Sequence, residues 1–405
     1  MGKVHYDSSA LKGLSVLPFL KQVERRNEKI AEAPDTLPES DFNANRLAAS
    51  LHPPYLCVKI AKVIDRGWDT KSYVLVPNPE KGTMALPFFR AGQYVSVIHE
   101  FEGHALAKPY SICSSPRDAL GTEANSYMLT IQKGTSSSLH VYNDWQEGTE
   151  VLLSAPIGDD YYERLRDAKK VIACAGGSGI TPFYSMAGAI ADGLEDFELT
   201  ILYGNRCEEA ILMREELDDF ATRSKGKVKI IHVLSDEVKE GFEHGFITAE
   251  LIRKYAETDD YSVFICGAPA MVKFLKGELA KLELPRRRIR FSPSGEFGDP
   301  ALDSAYPSDV VGKVFTLTGI HHGGEEFVVE CPAERTILQA FTLAGCYVQS
   351  GCRSGQCGWC RSRLVSGEVF VPEVVDGRRS ADKKFNWIHP CVTYPLSDLV
   401  IELPS

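Results

Sequence analysis

Four cysteines near the C-terminus, Cys352, Cys357, Cys360 and Cys391, have the spacing of a ligand set. The first three read Cys-x4-Cys-x2-Cys, and the fourth follows 31 residues after Cys360. Thiolates are soft ligands, and this spacing is that of plant-type [2Fe–2S] ligation. Such a cluster moves one electron at a time. Gly351, Gly355 and Gly358 allow the positive-φ turns that aim several thiolates inward, and they leave N–H groups free to point at sulfur. The competing chemistry is a zinc site, but zinc sites favour paired Cys-x2-Cys motifs, and this stretch has one. Cys346 falls outside the spacing and reads as a small core hydrophobe. With 11 cysteines in 405 residues and no N-terminal signal-like segment, a disulfide framework is not expected.

A second chemical signal is the run Gly176-Gly177-Ser178-Gly179-Ile180-Thr181-Pro182, which follows the apolar strand-like segment 170–175. Its glycines let N–H groups approach a pyrophosphate, and a helix starting at Pro182, with Thr181 as its cap, favours the negative charge. Cys266-Gly267-Ala268-Pro269 ends another strand-like segment. In a doubly wound sheet both ends open on the edge where ligands bind. A plain tight turn is the bland alternative. A hydride donor delivers two electrons and a cluster accepts one, so a converter is needed, and a flavin is one. Lys108-Pro109-Tyr110-Ser111 supplies the candidate residues: Tyr110 to lie against the flavin ring, Ser111 to hydrogen-bond its reactive edge, Lys108 to hold a phosphate. Gly134, Ser136 and Ser137, in a serine-rich stretch that in isolation is only a turn, add donors for the same phosphate.

These residues need elements to position them. Residues 1–54 read as a helical extension, with one helix over Leu14 to Ala33 broken by Pro34, Pro38 and Ser40, and a second over Asp41 to Leu51. Residues 55–160 contain short β-rich segments at Val58–Ile64, Ser72–Val76, Gln93–Ile98, Tyr127–Gln132 and Glu150–Ser154, the pattern of an antiparallel β-barrel. Residues 165–290 alternate strand and helix, the pattern of a doubly wound parallel α/β domain. Residues 291–309 read as a linker. Residues 310–405 are strand-rich again, with a hairpin around Gly323-Gly324 and a helix over Thr336 to Ala344 leading into the cysteine loop. His321-His322 reads as solvated hairpin. The fold class expected is multidomain α+β.

Charge excludes more than it identifies. The net charge of −10, with no basic run, argues against nucleic-acid binding. No stretch approaches eighteen apolar residues, so no transmembrane helix is expected.

The combined motifs are similar to the ferredoxin–NADP reductase superfamily, and more narrowly the chain resembles the phthalate dioxygenase reductase type over residues 55–405. That resemblance implies a flavin-binding β-barrel, a nicotinamide domain and a C-terminal β-grasp [2Fe–2S] ferredoxin domain, in that order. It implies that Tyr110 and Ser111 contact the isoalloxazine, that Gly176, Gly177, Gly179, Ile180 and Thr181 line the dinucleotide site, and that Cys266 and Gly267 lie near the nicotinamide. Ser111 and Cys266 are then the residues closest to hydride transfer. Electrons are expected to run from NAD(P)H through flavin and cluster to an acceptor protein such as an oxygenase component, in the cytoplasm. One departure is Lys108, where the family has arginine: charge is kept and the planar fork is lost. FAD is expected over FMN as the commoner case. NADH is expected over NADPH, because Tyr203 to Glu209 offers one arginine beside two acids. Two alternatives stay open: a self-contained reductase of a quinone or ferric chelate, and a non-catalytic electron-transfer subunit whose nucleotide site is vestigial.

Overall fold

The computed structural model describes residues 17–32, 43, 44, 47, 55–101, 104–121, 125–134, 136–292, 300–321, 324–346 and 348–403. The chain divides into two compact units, residues 1–53 and 54–405. In the first, helix α1 (Leu17–Glu32) carries Lys29 in its last turn, where a cation complements the helix dipole. The breaks at Pro34, Pro38 and Ser40 lie outside the described residues, as does the expected second helix apart from 43, 44 and 47.

The second unit begins with β1 (Leu56–Gly67), β2 (Thr70–Pro77), β3 (Tyr94–Phe101), β4 (His104–Ser111), β5 (Tyr127–Gln132) and β6 (Glu150–Leu153). They pair antiparallel in the order β4-β3-β6-β1-β2-β5, and a bridge from Ile112 to Leu129 ties the chain just beyond β4 to β5. Alternation puts Val58, Ile60, Tyr73, Leu75, Val95, Val97 and Leu153 in one core. Trp68 and Asp69, between the paired Gly67 and Thr70, have φ of 48° and 51°, as a tight hairpin with both central residues left-handed requires. Helix α2 (Ser136–Asp144) follows β5.

Next come β7 (Lys170–Gly176), helix α3 (Thr181–Ala191), β8 (Glu198–Asn205), α4 (Arg214–Arg223), β9 (Val228–Leu234), β10 (Glu243–His244), α5 (Ala249–Ala256), β11 (Tyr261–Cys266), α6 (Pro269–Ala280) and β12 (Ile289–Phe291). The strands are parallel, in the order β10-β9-β8-β7-β11-β12. Their sequences are continuous apolar runs because both faces are buried: Val171, Ala173 and Ile201 in one core, Ile172, Cys174, Leu202 and Val263 in the other. The chain leaves β7 on one side and returns to it on the other at β11. The switch point of the sheet therefore lies between these two strands.

The last part holds β13 (Val314–Ile320), β14 (Glu326–Pro332), α7 (Ile337–Leu343), β15 (Ser362–Ser366), β16 (Val369–Phe370), α8 (Ser380–Lys384), β17 (Trp387–Ile388), β18 (Tyr394–Pro395) and β19 (Leu399–Glu402). Five strands order as β14-β13-β19-β15-β17, with β13 and β19 parallel, and β16 pairs with β18. Thr336 caps α7 in a reciprocal pair with Gln339, and Ile337, Leu338 and Phe341 bury its inner face.

Three local readings change. β4 is a strand that sequence patterning passed over. Part of the stretch read as linker is packed: Tyr306 is buried with Val310, Ala333 and Tyr394, which lie beyond that stretch. Thr181 is the first helical residue and not a cap, because a 3₁₀ turn over Gly177–Ile180 precedes it and its hydroxyl donates to Ser178 O at 3.2 Å.

Candidate functional site

The cysteine loop gathers its sulfurs in two pairs. Cys360 Sγ and Cys391 Sγ lie 3.4 Å apart. Cys352 and Cys357 are joined reciprocally: Cys352 N–H donates to Cys357 Sγ and Cys357 N–H to Cys352 Sγ, both at 3.3 Å. Ser354 N–H adds a third N–H···S bond at 3.4 Å. Hydrogen bonding from the Cys357 thiol, helped by the Ser354 and Cys357 amides, holds Cys352 well below the ordinary thiol range. Among the described residues, no three His, Cys, Asp or Glu side chains gather closely enough for one ion. Two thiolate pairs suit two irons, each taking two thiolates. The residues present therefore fit the cluster.

Backbone geometry explains the loop's glycines. Gly355 and Gly358 have φ of 78° and 73°. Gly351 is needed for closeness: a Cβ there would stand 3.3 Å from Cys357 Sγ and 3.5 Å from Ile157 Cδ1. Cys352, Cys360 and Cys391 are buried, whereas Cys357 is exposed, next to Trp359, which is 47% exposed. Arg353, with φ of 50°, is buried and carries a positive charge into the loop, which cysteine spacing alone does not disclose.

At the switch point, the loops after β7 and β11 press backbone to backbone. A Cβ at Gly179 would lie 2.2 Å from Cys266 O, and one at Gly176 or Gly267 would meet Met271 Sδ at 2.3 or 2.6 Å. Gly177 has φ of 50°, and its carbonyl accepts from Tyr203 Oη at 3.1 Å. Ile180 and Thr181 are buried. Burial pushes the Cys266 thiol up to about 12, with nearby Asp160 adding to it. It stays protonated at neutral pH and does not act as a nucleophile.

The candidate flavin residues lie on β4. Register pairs Tyr94 with Ser111, Val95 with Tyr110, Ser96 with Pro109 and Val97 with Lys108. Strand alternation sends Tyr110 with Val95 to the face that packs on the core of this sheet, and Ser111 with Tyr94 and Ser96 to the other. Tyr110 Oη is buried with no hydrogen-bond partner among the described residues. A buried unsatisfied hydroxyl costs about 1–3 kcal/mol, so it marks a place where a polar ligand atom fits. Ser136 and Ser137 open α2, and Gly134 N–H donates to Ser138 Oγ at 3.1 Å.

Sequence reasoning missed the residues where these regions meet. Helix α7 packs on β4, and Ser96 Oγ donates to Gly351 O at 3.1 Å. The Tyr94 phenol is pushed up by burial and by the neighbouring Cys352 and Cys357. Asp160 is buried near both Cys266 and Cys352, and burial drives its carboxyl well above the ordinary range, with Asp159 adding and Arg290 opposing. No motif flags a residue whose neighbours arrive from elsewhere in the chain.

A dinucleotide-type sheet edge joined to a two-pair thiolate loop defines an oxidoreductase that connects a nicotinamide to an iron–sulfur cluster. Residues 174–277 match the oxidoreductase NAD-binding domain family, and residues 320–396, which hold all four cysteines, match the 2Fe-2S iron-sulfur cluster binding domain family. Phthalate dioxygenase reductase of Burkholderia cepacia is 30% identical over 323 residues, covering 78% of this chain and 89% of that protein. The glycine betaine monooxygenase reductase subunit of Chromohalobacter salexigens is 24% identical over 371 residues, covering 85% and 94%. A solved structure of phthalate dioxygenase reductase, described as modular for electron transfer from pyridine nucleotides to [2Fe–2S], superposes with a TM-score of 0.58 at 27% identity, covering 87% and 98%. The chain belongs to the phthalate dioxygenase reductase-like reductases of the ferredoxin–NADP reductase superfamily. It is an NAD(P)H-dependent oxidoreductase whose cofactors are a flavin, a nicotinamide and a [2Fe–2S] cluster. Among the described residues, no helix is long and apolar enough to cross a membrane.

Proposed function

We propose that this protein is the reductase component of an oxygenase system, carrying electrons from NADH to a partner oxygenase. The domain limits we assign are 1–54 for the extension, 55–160 for the flavin barrel, 165–290 for the nicotinamide domain, 291–309 for the connection and 310–405 for a β-grasp ferredoxin domain. The observation that carries the reading is the packing of α7 and Gly351 on the β3–β4 pair, which sets the cysteine loop beside the strand of Tyr110 and Ser111. A bound flavin supplies two-electron to one-electron conversion, and the cluster supplies one-electron carriage.

The chain's own work is positioning. The loop of Gly176, Gly177, Gly179, Ile180 and Thr181 lines the dinucleotide phosphates, with the first turn of α3 favouring their charge. Cys266 and Gly267 close the nicotinamide end, and the neutral buried thiol of Cys266 shields it from water. Ser111 donates to the flavin's reactive edge. Lys108, Gly134, Ser136 and Ser137 serve its phosphate, and Tyr110 Oη gains the partner it lacks. Cys352 with Cys357 takes one iron, and Cys360 with Cys391 the other. The exposed Cys357 and Trp359 mark the side from which the acceptor is reached.

FAD remains our reading over FMN. NADH is favoured because Arg214 and Lys239, two cations near the end of β8, are both bound by the Glu208 carboxylate and so are not offered to a 2′-phosphate. The reading extends to the cytoplasm, where thiolates stay reduced. Anaerobic titration with NADH and with NADPH, followed by chromatography of the released flavin, tests the reading. Bleaching of flavin and then cluster by NADH is expected. No bleaching by either nucleotide would mean that the nucleotide site is vestigial.

A further inference from the structure

We propose that Ser96 is a positioning residue that fixes the cluster loop at its working distance from the flavin strand, through its hydrogen bond to the carbonyl of Gly351. The inference rests on the reading that the flavin lies along β4. Ser96 is 2% exposed, and the bond joins residues 255 apart in sequence at 3.1 Å. Gly351 directly precedes Cys352, so anchoring its carbonyl anchors the first ligand of the loop.

The donor is itself held rigidly. Ser96 N–H donates to Ser154 Oγ at 2.9 Å, and Ser96 O accepts from Ser154 N–H at 2.9 Å. The Ser154 hydroxyl in turn donates to Ala155 O at 2.8 Å, which leaves its lone pair for Ser96. Two backbone bonds and a fixed acceptor therefore aim Ser96 Oγ outward from the strand.

What the strand carries makes the aim consequential. Ser96 pairs with Pro109 and Tyr94 with Ser111, so Ser96, Tyr94 and Ser111 share one face of the β3–β4 pair. Tyr94 and Ser96 are about 7 Å apart along the strand, two residues of rise. Strand β3 thus holds the partner of Ser111 at one point and the cluster loop two residues on. From outside the cysteine loop, Gly351 also has an apolar neighbour: its Cβ position would stand 3.5 Å from Ile157 Cδ1. Apolar surfaces exclude water but slide. A directional bond between a held hydroxyl and a ligand-loop carbonyl sets a distance. Electron transfer falls steeply with distance, so a bond that adds little to stability can dominate the rate.

The test is anaerobic stopped-flow reduction of Ser96→Ala by NADH. Flavin bleaching is expected at the wild-type rate. The following reduction of the cluster is expected to slow severalfold, because the loop is no longer held at one distance. Ser96→Thr, which keeps the hydroxyl, restores it. Ser154→Ala, which loosens the donor without removing it, gives a smaller slowing and serves if Ser96→Ala does not fold. Two further readouts separate positioning from other effects. Hydrogen exchange at residues 351–357 of Ser96→Ala, measured before any nucleotide is added, is expected to quicken, and the midpoint potential of the cluster to stay at the wild-type value. Wild-type cluster reduction in Ser96→Ala, or a changed potential that accounts for the slowing, overturns the inference. If NADH fails to bleach flavin in the wild-type protein, the flavin reading itself falls, and that outcome is distinct from both.

Discussion

The loops at the sheet's switch point and the loop of the four cysteines both lean on glycine, for different reasons. At Gly179, glycine is there because the carbonyl of Cys266 stands 2.2 Å from where a Cβ would be. At Gly355 and Gly358, it is there because φ is positive. The first region is backbone meeting backbone, and its ligand is met by N–H groups. The second is backbone bent so that side chains can meet a metal. A backbone site is therefore broken by adding atoms, and a sulfur site by removing them.

The largest effect expected is Cys357→Ser. It should abolish the cluster's visible absorbance and electron delivery to a one-electron acceptor, with NADH bleaching of the flavin retained. A cluster kept in that variant would break the pairing of Cys352 with Cys357. Next is Gly179→Ala, which crowds Cys266 and should cost about 1–3 kcal/mol of stability. Flavin reduction by NADH should fall by more than the loss of folded protein explains, while dithionite still reduces the cluster. If dithionite reduction fails too, the two regions are not separable.

Tyr110→Phe reports on the strand between them. Removing an unpartnered buried hydroxyl should raise stability of the flavin-free protein by about 1 kcal/mol and weaken flavin binding about tenfold. Melting of flavin-free protein and flavin titration measure the two, and the opposite signs are the signature. The smallest effect expected is at Cys266. Burial raises its pKa from the ordinary thiol range to about 12, so the thiol is neutral well past its ordinary titration. The rate of flavin bleaching by NADH should then show no Cys266 inflection between about pH 7 and about pH 10. An inflection near 9 that disappears in Cys266→Ala would contradict this.

What the sequence disclosed and what it hid follow the same division. Cysteine spacing and a glycine run after an apolar strand are local, and they are visible because a ligand loop and a phosphate turn are each made by consecutive residues. β4 was hidden because Lys108 and Pro109 interrupt apolar alternation, although a proline at this place in the order β4-β3-β6 is tolerated. Thr181 was misjudged because the extra 3₁₀ turn moves the helix start by one residue, and glycines in that turn look the same either way. Tyr94, Ser96 and Asp160 gave no signal at all. Ordinary strand and turn residues by type, they matter only through neighbours on other elements.

The contact of Gly179 with Cys266 also bears on descent. Neither loop can drift alone: a side chain gained at 179 survives only if the end of β11 retreats, and a retreat there leaves a gap at Gly176 and Met271. The two loops, 87 residues apart in the chain, are therefore inherited as a single character, and distant relatives should be recognised by the pair changing together.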